Sequence, residues 1–522
     1  MGDTYDVVVV GSGHNALVAS AYLAKAGKKI LVLERNEDFG GGVSTKEIAA
    51  PGFLHDLHSA EHIFIQANPL LRNDELGLKS KYGLKYVHPE AIFSTIFEDH
   101  SYLISYVDID RTCESFARVS PRDAKAYREF ARRSLEIIPM IIQGMFVPPP
   151  PMGAFVGLLD QSSMGRHLFQ TMQRSILDLV NDYFENEKIK IHFLRVCAEL
   201  FVGPDEKGMG AILFNFPGVL HSFRPGVPVG GSAALVHALM RCLKDRGAEF
   251  RANSEVAKVV VSAGKATGVQ FKNGEVIKAR DCVIGQIHPW LLPDMVDGLD
   301  AQLVANARRT TTSSFACVSG HYAFKEPPKY IAGDAPGECM LTGFAPSSLI
   351  EYRRTFDAYR DGATSRVRTL SAHTMSQFDP SRAPAGGAAV TTWRLAPFEL
   401  ANESWDDAKD REAAETLEML RYYAPNLQGD CLIGQAFQSP LDYVRYSPTF
   451  QRGDVNGLGK YFYQLSGHRP TPELSQYAVP GANRLYLCGT FMHPPGGVTG
   501  GGRATAVKIC GDLGIDFDKV SK

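Results

Sequence analysis

Paired cysteines are missing from this 522-residue chain. Nine cysteines are present (Cys113, Cys197, Cys242, Cys282, Cys317, Cys339, Cys431, Cys488 and Cys510). No two form a Cys-x-x-Cys pair, so neither a redox dithiol nor a zinc knuckle is indicated. An odd number of scattered thiols suits a reducing compartment, with most of them serving as small apolar core groups. Charge excess is missing as well. Lys and Arg number 55 against 57 Asp and Glu, the formal net charge is −2, and no basic block stands out. That argues against nucleic acid as a partner and against general attraction to acidic membranes. A secretory leader would need roughly 15–30 residues before the first apolar strand at Val7, and this N-terminus lacks them, which predicts a cytoplasmic protein. No G-x-S-x-G elbow occurs, so Ser-His-Asp hydrolysis is unsupported. No internal repeat is visible.

One stretch lacks charge altogether, from Ile137 to Leu159. Its length is about that of a membrane span, but Pro139 and the run Pro148–Pro151 are predicted to break any helix there. An apolar loop or substrate-channel lining is expected. An interfacial patch that dips into lipid remains open, and with it a peripheral membrane association.

At this length the chain needs more than one domain. Val7 to Val10 is a β-branched run of the kind buried on both faces of a sheet. Gly11-Ser12-Gly13-His14-Asn15-Ala16 follows, fitting G-x-G-x-x-G/A, then a helix ending near Gly27 and a second strand, Ile30 to Leu33. In this pattern the first glycine makes the tight turn and the second admits a pyrophosphate to the backbone. Ala16 permits close helix–strand packing, and the helix N-terminus favours the phosphates. Glu34 stands about twenty residues on, where a carboxylate accepts hydrogen bonds from ribose hydroxyls. The unit predicts dinucleotide binding. Gly40-Gly41-Gly42 supplies a second backbone segment that can touch a long cofactor, and the C-terminal Gly489 and Gly496–Gly502 supply a third, which favours FAD over a nicotinamide cofactor. Elsewhere, Ser120-Pro121 opens a helix, Pro228-Val229-Gly230-Gly231 leads into another, and Lys272-Asn273-Gly274-Glu275 is a hairpin turn.

Together, the Gly-Ser-Gly-His-Asn loop, Glu34-Arg35 with its glycines, Pro228–Gly231, Leu487-Cys488-Gly489 and His493-Pro494-Pro495-Gly496-Gly497-Val498-Thr499-Gly500 resemble the phytoene desaturase and carotenoid isomerase-related flavoproteins. These are similar in turn to flavin amine oxidases. The resemblance implies an α/β fold: a discontinuous Rossmann-type FAD-binding domain (1–82, 222–300 and 457–522) carrying an inserted α+β substrate domain (83–221 and 301–456). It also implies that Gly11, Ser12, Gly13, Asn15 and Ala16 hold the pyrophosphate, and that Glu34 and Arg35 contact the adenosine ribose. Gly41, Gly42 and Val43 would follow the phosphate–ribityl portion. Val256 would set its backbone against adenine, and Gly489, Gly497, Val498 and Thr499 would flank the ribityl and isoalloxazine. Pro495 and Ile287-His288-Pro289 depart from the usual pattern.

The cluster His55-Asp56-Leu57-His58-Ser59-Ala60-Glu61-His62 falls where chains of this family pass the flavin. His58 and His62 would share a face if helical, and a neutral imidazole is a ready proton acceptor. Local hydrogen-bonded histidines are the competing reading, and no metal is expected. Ser466-Gly467-His468-Arg469-Pro470 resembles a family loop near the substrate mouth. The expected activity is FAD-dependent removal of two electrons from an apolar or cyclic substrate, with hydride passing to flavin N5 and a C=C or C=N bond forming. Oxygen or a quinone would take the electrons onward. Redox-neutral polyene isomerisation on reduced FAD and a non-catalytic flavoprotein scaffold are the alternatives, and self-association is left open.

Overall fold

The computed structural model describes residues 4–522. Strand Thr4–Val10 (β1) leads through Gly11, at φ +88°, into helix His14–Lys25 (α1) and back into strand Ile30–Leu33 (β2). Val7, Val8 and Val9 are fully buried, as a strand covered on both faces requires. β1 and β2 pair in parallel, the arrangement a β-α-β crossover produces.

The chain then forms an antiparallel pair, Ala91–Phe97 (β3) and Tyr102–Tyr106 (β4), before a helical stretch. Ser120 caps helix Pro121–Met145 (α2), accepting a hydrogen bond from the Asp123 N–H. Pro139 does not end this helix, contrary to the sequence expectation. It lies on the exposed side, while Ile137, Ile138 and Ile142 are buried, so packing outweighs a defect of about 3 kcal/mol. After the proline run comes a further helix, Met152–Asp160 (α3). The uncharged stretch is therefore two helices around a proline joint, not a loop. Helix Glu187–Ala198 (α4) and helix Gly210–Ser222 (α5) follow. α5 crosses α2 closely, the Gly218 N–H donating to Ser134 Oγ at 2.7 Å.

Helix Ala233–Lys244 (α6) returns the chain to the first sheet, followed by strands Glu249–Arg251 (β5), Val256–Ser262 (β6), Lys265–Phe271 (β7) and Val276–Gly285 (β8). The expected Asn273-Gly274 turn joins β7 to β8, which pair antiparallel. The second sheet is completed by Ala316–Phe324 (β9), Leu341–Ala345 (β10), Leu370–His373 (β11) and Ala388–Ala396 (β12). Helix Trp405–Tyr423 (α7) precedes its last strand, Leu432–Gln438 (β13). Strand Leu485–Leu487 (β14) and helix Gly502–Asp512 (α8) then close the nucleotide-binding side.

Two seven-stranded sheets result. The first runs β6-β7-β8-β1-β2-β5, with β14 also paired to β8; the second runs β13-β9-β12-β11-β10-β3-β4. The fold is mixed α/β with a Rossmann-type sheet. Alternation along the second sheet decides what faces what. Leu370 and Ala372 of β11 join Leu417, Leu420 and Tyr423 of α7 in a core on one face. Ser371 and His373 therefore point the other way, into the space between the sheets. All nine cysteines are free and buried.

Candidate functional site

A cavity of about 700 Å³ runs between the two sheets. At one end its wall is backbone and polar groups: Gly11, Gly13 and Asn15 after β1, Glu34 and Arg35 after β2, then Gly41, Gly42 and Val43. Val256 at the start of β6, Gly489 after β14, and Gly497, Val498 and Thr499 before α8 complete that end. Ser12 and Ala16, also singled out from the sequence, stand behind this wall, both fully buried. The other end is apolar, formed by Ile138, Ile141 and Met145 of α2, Ile212, Phe216 and Val219 of α5, and Trp393 of β12.

Glu34 organises the first loop. Its Oε2 accepts from the Ser12 N–H at 2.9 Å and Ser12 Oγ at 2.6 Å, and its Oε1 from the Asn36 N–H at 3.0 Å. Ser12 Oγ in turn accepts from the Gly40 N–H at 3.0 Å, which draws the two glycine segments together. They touch: a Cβ on Gly41 would lie 3.2 Å from the Gly13 Cα.

This end suits FAD. The N-cap residue of α1, Gly13, has no side chain to cap the helix, and the first turn carries no acid. The Gly13 N–H itself donates to Gln286 Oε1 at 2.7 Å, and the partial positive charge of the helix start favours an anion beside it. Gly497, at φ +66°, has nothing within 4 Å of where a Cβ would stand, so bare backbone faces open space. Glu34 retains acceptor capacity for hydroxyl groups beside the loop. A long molecule with an anionic middle and a ribose end matches that donor and acceptor set.

The histidine cluster is not helical. Asp56 is drawn into a buried ion pair with Arg382 at 2.5 Å, and the chain after it runs without regular structure to an isolated bridge between His62 and Gly226. His58 and His62 therefore do not share a helical face. His58 lies on the cavity wall in a box of Tyr443, Tyr446 and Phe450, with ring centroids at 5.2, 4.8 and 5.3 Å. Neither of its ring nitrogens has a partner, and burial pulls its pKa down to about 3. His62 sits behind the wall, its Nδ1 2.8 Å from Tyr86 Oη. Burial lowers its pKa to about 3 as well. The Ser466–Pro470 segment is a brace: buried Arg469 donates to the carbonyls of Leu458, Gly459, Thr490 and Met492, fixing two cavity-side loops to each other.

Several wall residues escaped the sequence reading. His14 opens α1 with a buried, unpartnered Nε2; its place inside the glycine loop was the available signal. Glu61 was visible only as part of the cluster. His373, Asn215 and Lys460 belong to no motif and arrive from distant segments.

Lys460 is the most perturbed of these. Its Nζ is buried and unpartnered, and burial lowers its pKa from 10.5 to about 7, the nearby Asp454 opposing and Arg469 assisting. A base with a depressed folded-state pKa costs stability in full below about pH 7, and the cost fades as pH rises towards 10.5. Lys460→Met is thus expected to stabilise the FAD-free protein by on the order of 3 kcal/mol at pH 7, with the gain shrinking steadily by pH 9.5. Denaturant unfolding of both proteins at the two pH values measures it. A pH-independent difference would mean that Lys460 is not desolvated as the geometry indicates.

Comparison with known proteins agrees with this architecture. A family model described as an NAD(P)-binding Rossmann-like domain matches residues 9–73. A limonene dehydrogenase chain of Castellaniella defragrans is 24% identical, with 98% of this chain and 95% of that protein covered. Pyridine nucleotide-disulfide oxidoreductase domain-containing protein 2 of Rattus norvegicus is 27% identical over 97% and 93%. The lycopene-forming phytoene desaturase of Pseudescherichia vulneris is 23% identical over 97% and 99%. Among solved structures, cyclohexylamine oxidase from Brevibacterium oxydans superposes with a TM-score of 0.60 at 14% identity, covering 98% of this chain and 100% of its own.

Proposed function

We propose that this chain, which is a phytoene desaturase-related FAD-dependent oxidoreductase, takes two electrons from an apolar or cyclic organic substrate and forms a C=C or C=N bond. The observation that carries this reading is the single cavity that joins the glycine-loop backbones to an apolar chamber. Bound FAD supplies the hydride acceptor, N5 of its isoalloxazine ring. Everything else falls to the chain: holding the cofactor, pressing the substrate carbon into register and keeping water out.

In this reading Gly11, Ser12, Gly13, Asn15 and Ala16 form the pyrophosphate turn, and Glu34 and Arg35 hold the adenosine ribose. Gly41, Gly42 and Val43 follow the phosphate–ribityl portion, Val256 backs adenine, and Gly489, Gly497, Val498 and Thr499 border the ring. His58 is the member of the histidine pair placed to touch substrate, while His62 supports the wall through Tyr86. A neutral imidazole with so low a pKa offers a hydrogen bond more readily than it holds a proton. The domain division at 82/83, 221/222, 300/301 and 456/457 belongs to the same proposal, with the apolar chamber largely the work of the inserted parts.

The relatives are named for limonene, phytoene and cyclohexylamine, and a hydrocarbon-rich substrate is common to those names. Such a substrate enters most easily from a lipid surface. α3 presents Leu158 at 52% exposure and Val147 before it at 37%, beyond the end of α2, whose inner face walls the chamber. Among the described residues no helix is long and apolar enough to cross a membrane, so the contact proposed is peripheral, on a cytoplasmic protein. Oxygen or a quinone is the proposed final acceptor.

Reconstitution tests the core of this. The protein is expected to take up FAD in a one-to-one ratio, and a polyene, cyclic terpene or cyclic amine is expected to bleach it anaerobically. Failure to bind FAD sinks the proposal outright. Isomerisation seen only after prior reduction, with no net bleaching, replaces oxidation by the isomerase alternative.

A further inference from the structure

We infer that Glu61 and His373 form a proton-accepting pair in the cavity wall, with His373 the residue that removes the proton accompanying hydride loss from the substrate. The inference rests on the oxidation proposed above and names the group that completes it. The imidazole of His373 stands on the wall with its Nδ1 3.0 Å from Glu61 Oε1, an ion-pair contact whose angles fall outside hydrogen-bond geometry. The two residues arrive separately. β11 delivers His373 by strand alternation, and the irregular segment after Asp56 delivers Glu61. His373 is 3% exposed and the Glu61 side chain 16%, so once His373 is protonated the two charges attract with less screening than a surface pair.

A second polar cluster stands near the pair and acts on His373 through its charges. One residue pair along from His373, a row of directly paired positions runs across the second sheet: Thr95, Gly343, Ser371 and Trp393. Arg195 of α4 lies across this row, where a Cβ on Gly343 would come within 2.0 Å of its Nε. Its Nη1 donates to Ser371 Oγ at 2.7 Å and to Glu199 Oε1 at 3.0 Å, its Nε to Thr95 Oγ1 at 3.3 Å, and Ser371 Oγ itself donates to Glu199. Asn215 of α5 also lines the cavity, with a buried Oδ1 that has no partner. Two other titratable groups on the wall, His58 and Lys460, have no hydrogen-bond partner, whereas His373 has a carboxylate beside it.

The charges facing His373 are Glu61, Glu199 and Arg195. Burial opposes its protonation, but the Glu61 carboxylate, helped by Glu199 and opposed by Arg195, leaves its pKa above the ordinary histidine value. His58 and His62, each at about 3, are poorer acceptors. Atoms and electrons balance in the step. With FAD bound, one substrate C–H bond would give up its electron pair and hydrogen as the hydride the cofactor accepts. The neighbouring C–H or N–H gives its proton to neutral His373, and the pair left behind becomes the new π bond. The Glu61 carboxylate stabilises the imidazolium that forms. Proton removal therefore requires neutral His373 and speeds up as pH rises through its pKa.

The test combines anaerobic flavin reduction from pH 6 to 9.5 with isotope-edited imidazole NMR of the FAD-free protein, the His373 signal being assigned by its absence from His373→Gln. That variant is expected to lose about 100-fold or more in flavin reduction while binding FAD and substrate within threefold of wild type. Glu61→Gln is expected to lower both the His373 titration midpoint and the midpoint of the rate profile, a coupled shift that a merely structural role would not produce. Wild-type reduction rates in a His373→Gln protein that binds both ligands would overturn the inference alone. So would a His373 titration unmoved by Glu61→Gln. If the wild type itself is bleached by no substrate of the panel, the oxidation proposal fails and this inference falls with it.

Discussion

Gly502→Val is expected to leave a protein that cannot retain FAD. Gly502 is the first residue of α8, and a Cβ there would stand 1.8 Å from the Asn15 carbonyl oxygen and 2.9 Å from the Ala19 nitrogen. Both are backbone atoms of α1, so no rotamer change relieves the clash. The helices must separate or the first turn of α8 must unwind. Either movement reaches the cavity, since the segment just before α8 is tied down locally. The Gly501 N–H donates to Thr499 Oγ1 at 3.2 Å, and Asn68 Nδ2 donates to the carbonyls of Thr499 and Gly500 at 2.9 and 3.0 Å. Overpacking typically costs 1–3 kcal/mol. Against immovable backbone we expect about 3 kcal/mol or more for valine and somewhat less for alanine. Gly511→Ala is the control: on the same helix, with nothing within 4 Å of the new Cβ, it is expected to be neutral or stabilising by about 0.5–1 kcal/mol through helix propensity. Thermal unfolding and the flavin-to-protein ratio measure both variants. Stoichiometric flavin in Gly502→Val would show that the contact between α1 and α8 does not hold the loop.

The same residues show what a sequence can reveal. Gly11 to Glu34 was legible because its constraints are local: a strand, a turn at positive φ, a helix and an acid follow one another in the chain. The Asn273-Gly274 turn was legible for the same reason. Pro139 was misread because a local rule met a tertiary one. Its ring is on the exposed side, and the isoleucines around it bury enough surface to keep α2 continuous. His58 and His62 were spaced for a helix, yet Asp56 just before them is claimed by Arg382, more than three hundred residues away in sequence. No local pattern announces such a partner. Lys460 and His373 were invisible for the related reason that isolated residues become a site only when two sheets face each other. FAD could be inferred from motif spacing, whereas the substrate side of the cavity required the tertiary structure.

That distant partner carries the second large effect. Arg382 is 1% exposed and joins three segments of the wall's support. Its Nη1 donates to Asp56 Oδ2 at 2.5 Å, its Nε to Asp379 Oδ2 at 3.2 Å and its Nη2 to the Pro228 carbonyl at 2.7 Å. The carboxylates have further partners. Asp56 Oδ1 accepts from the Ser232 N–H and Thr45 Oγ1, and Asp379 Oδ2 from the Gly230 N–H. The guanidinium thus fixes the Pro228–Ser232 turn against Thr45, just beyond the glycine segment at the cofactor end. Arg382→Met preserves much of the side-chain volume but leaves two buried carboxylates without their cation. Breaking a buried pair from one side costs about 3–5 kcal/mol, and we expect a loss in that range together with weakened FAD retention. Arg382→Lys should fall between the two proteins, because an ammonium restores the charge but cannot reproduce the three-way fork. Denaturant midpoints, read with flavin content, order the variants. A methionine variant as stable as the parent would mean that the ion pair is replaceable and that the turn is held by its backbone bonds alone.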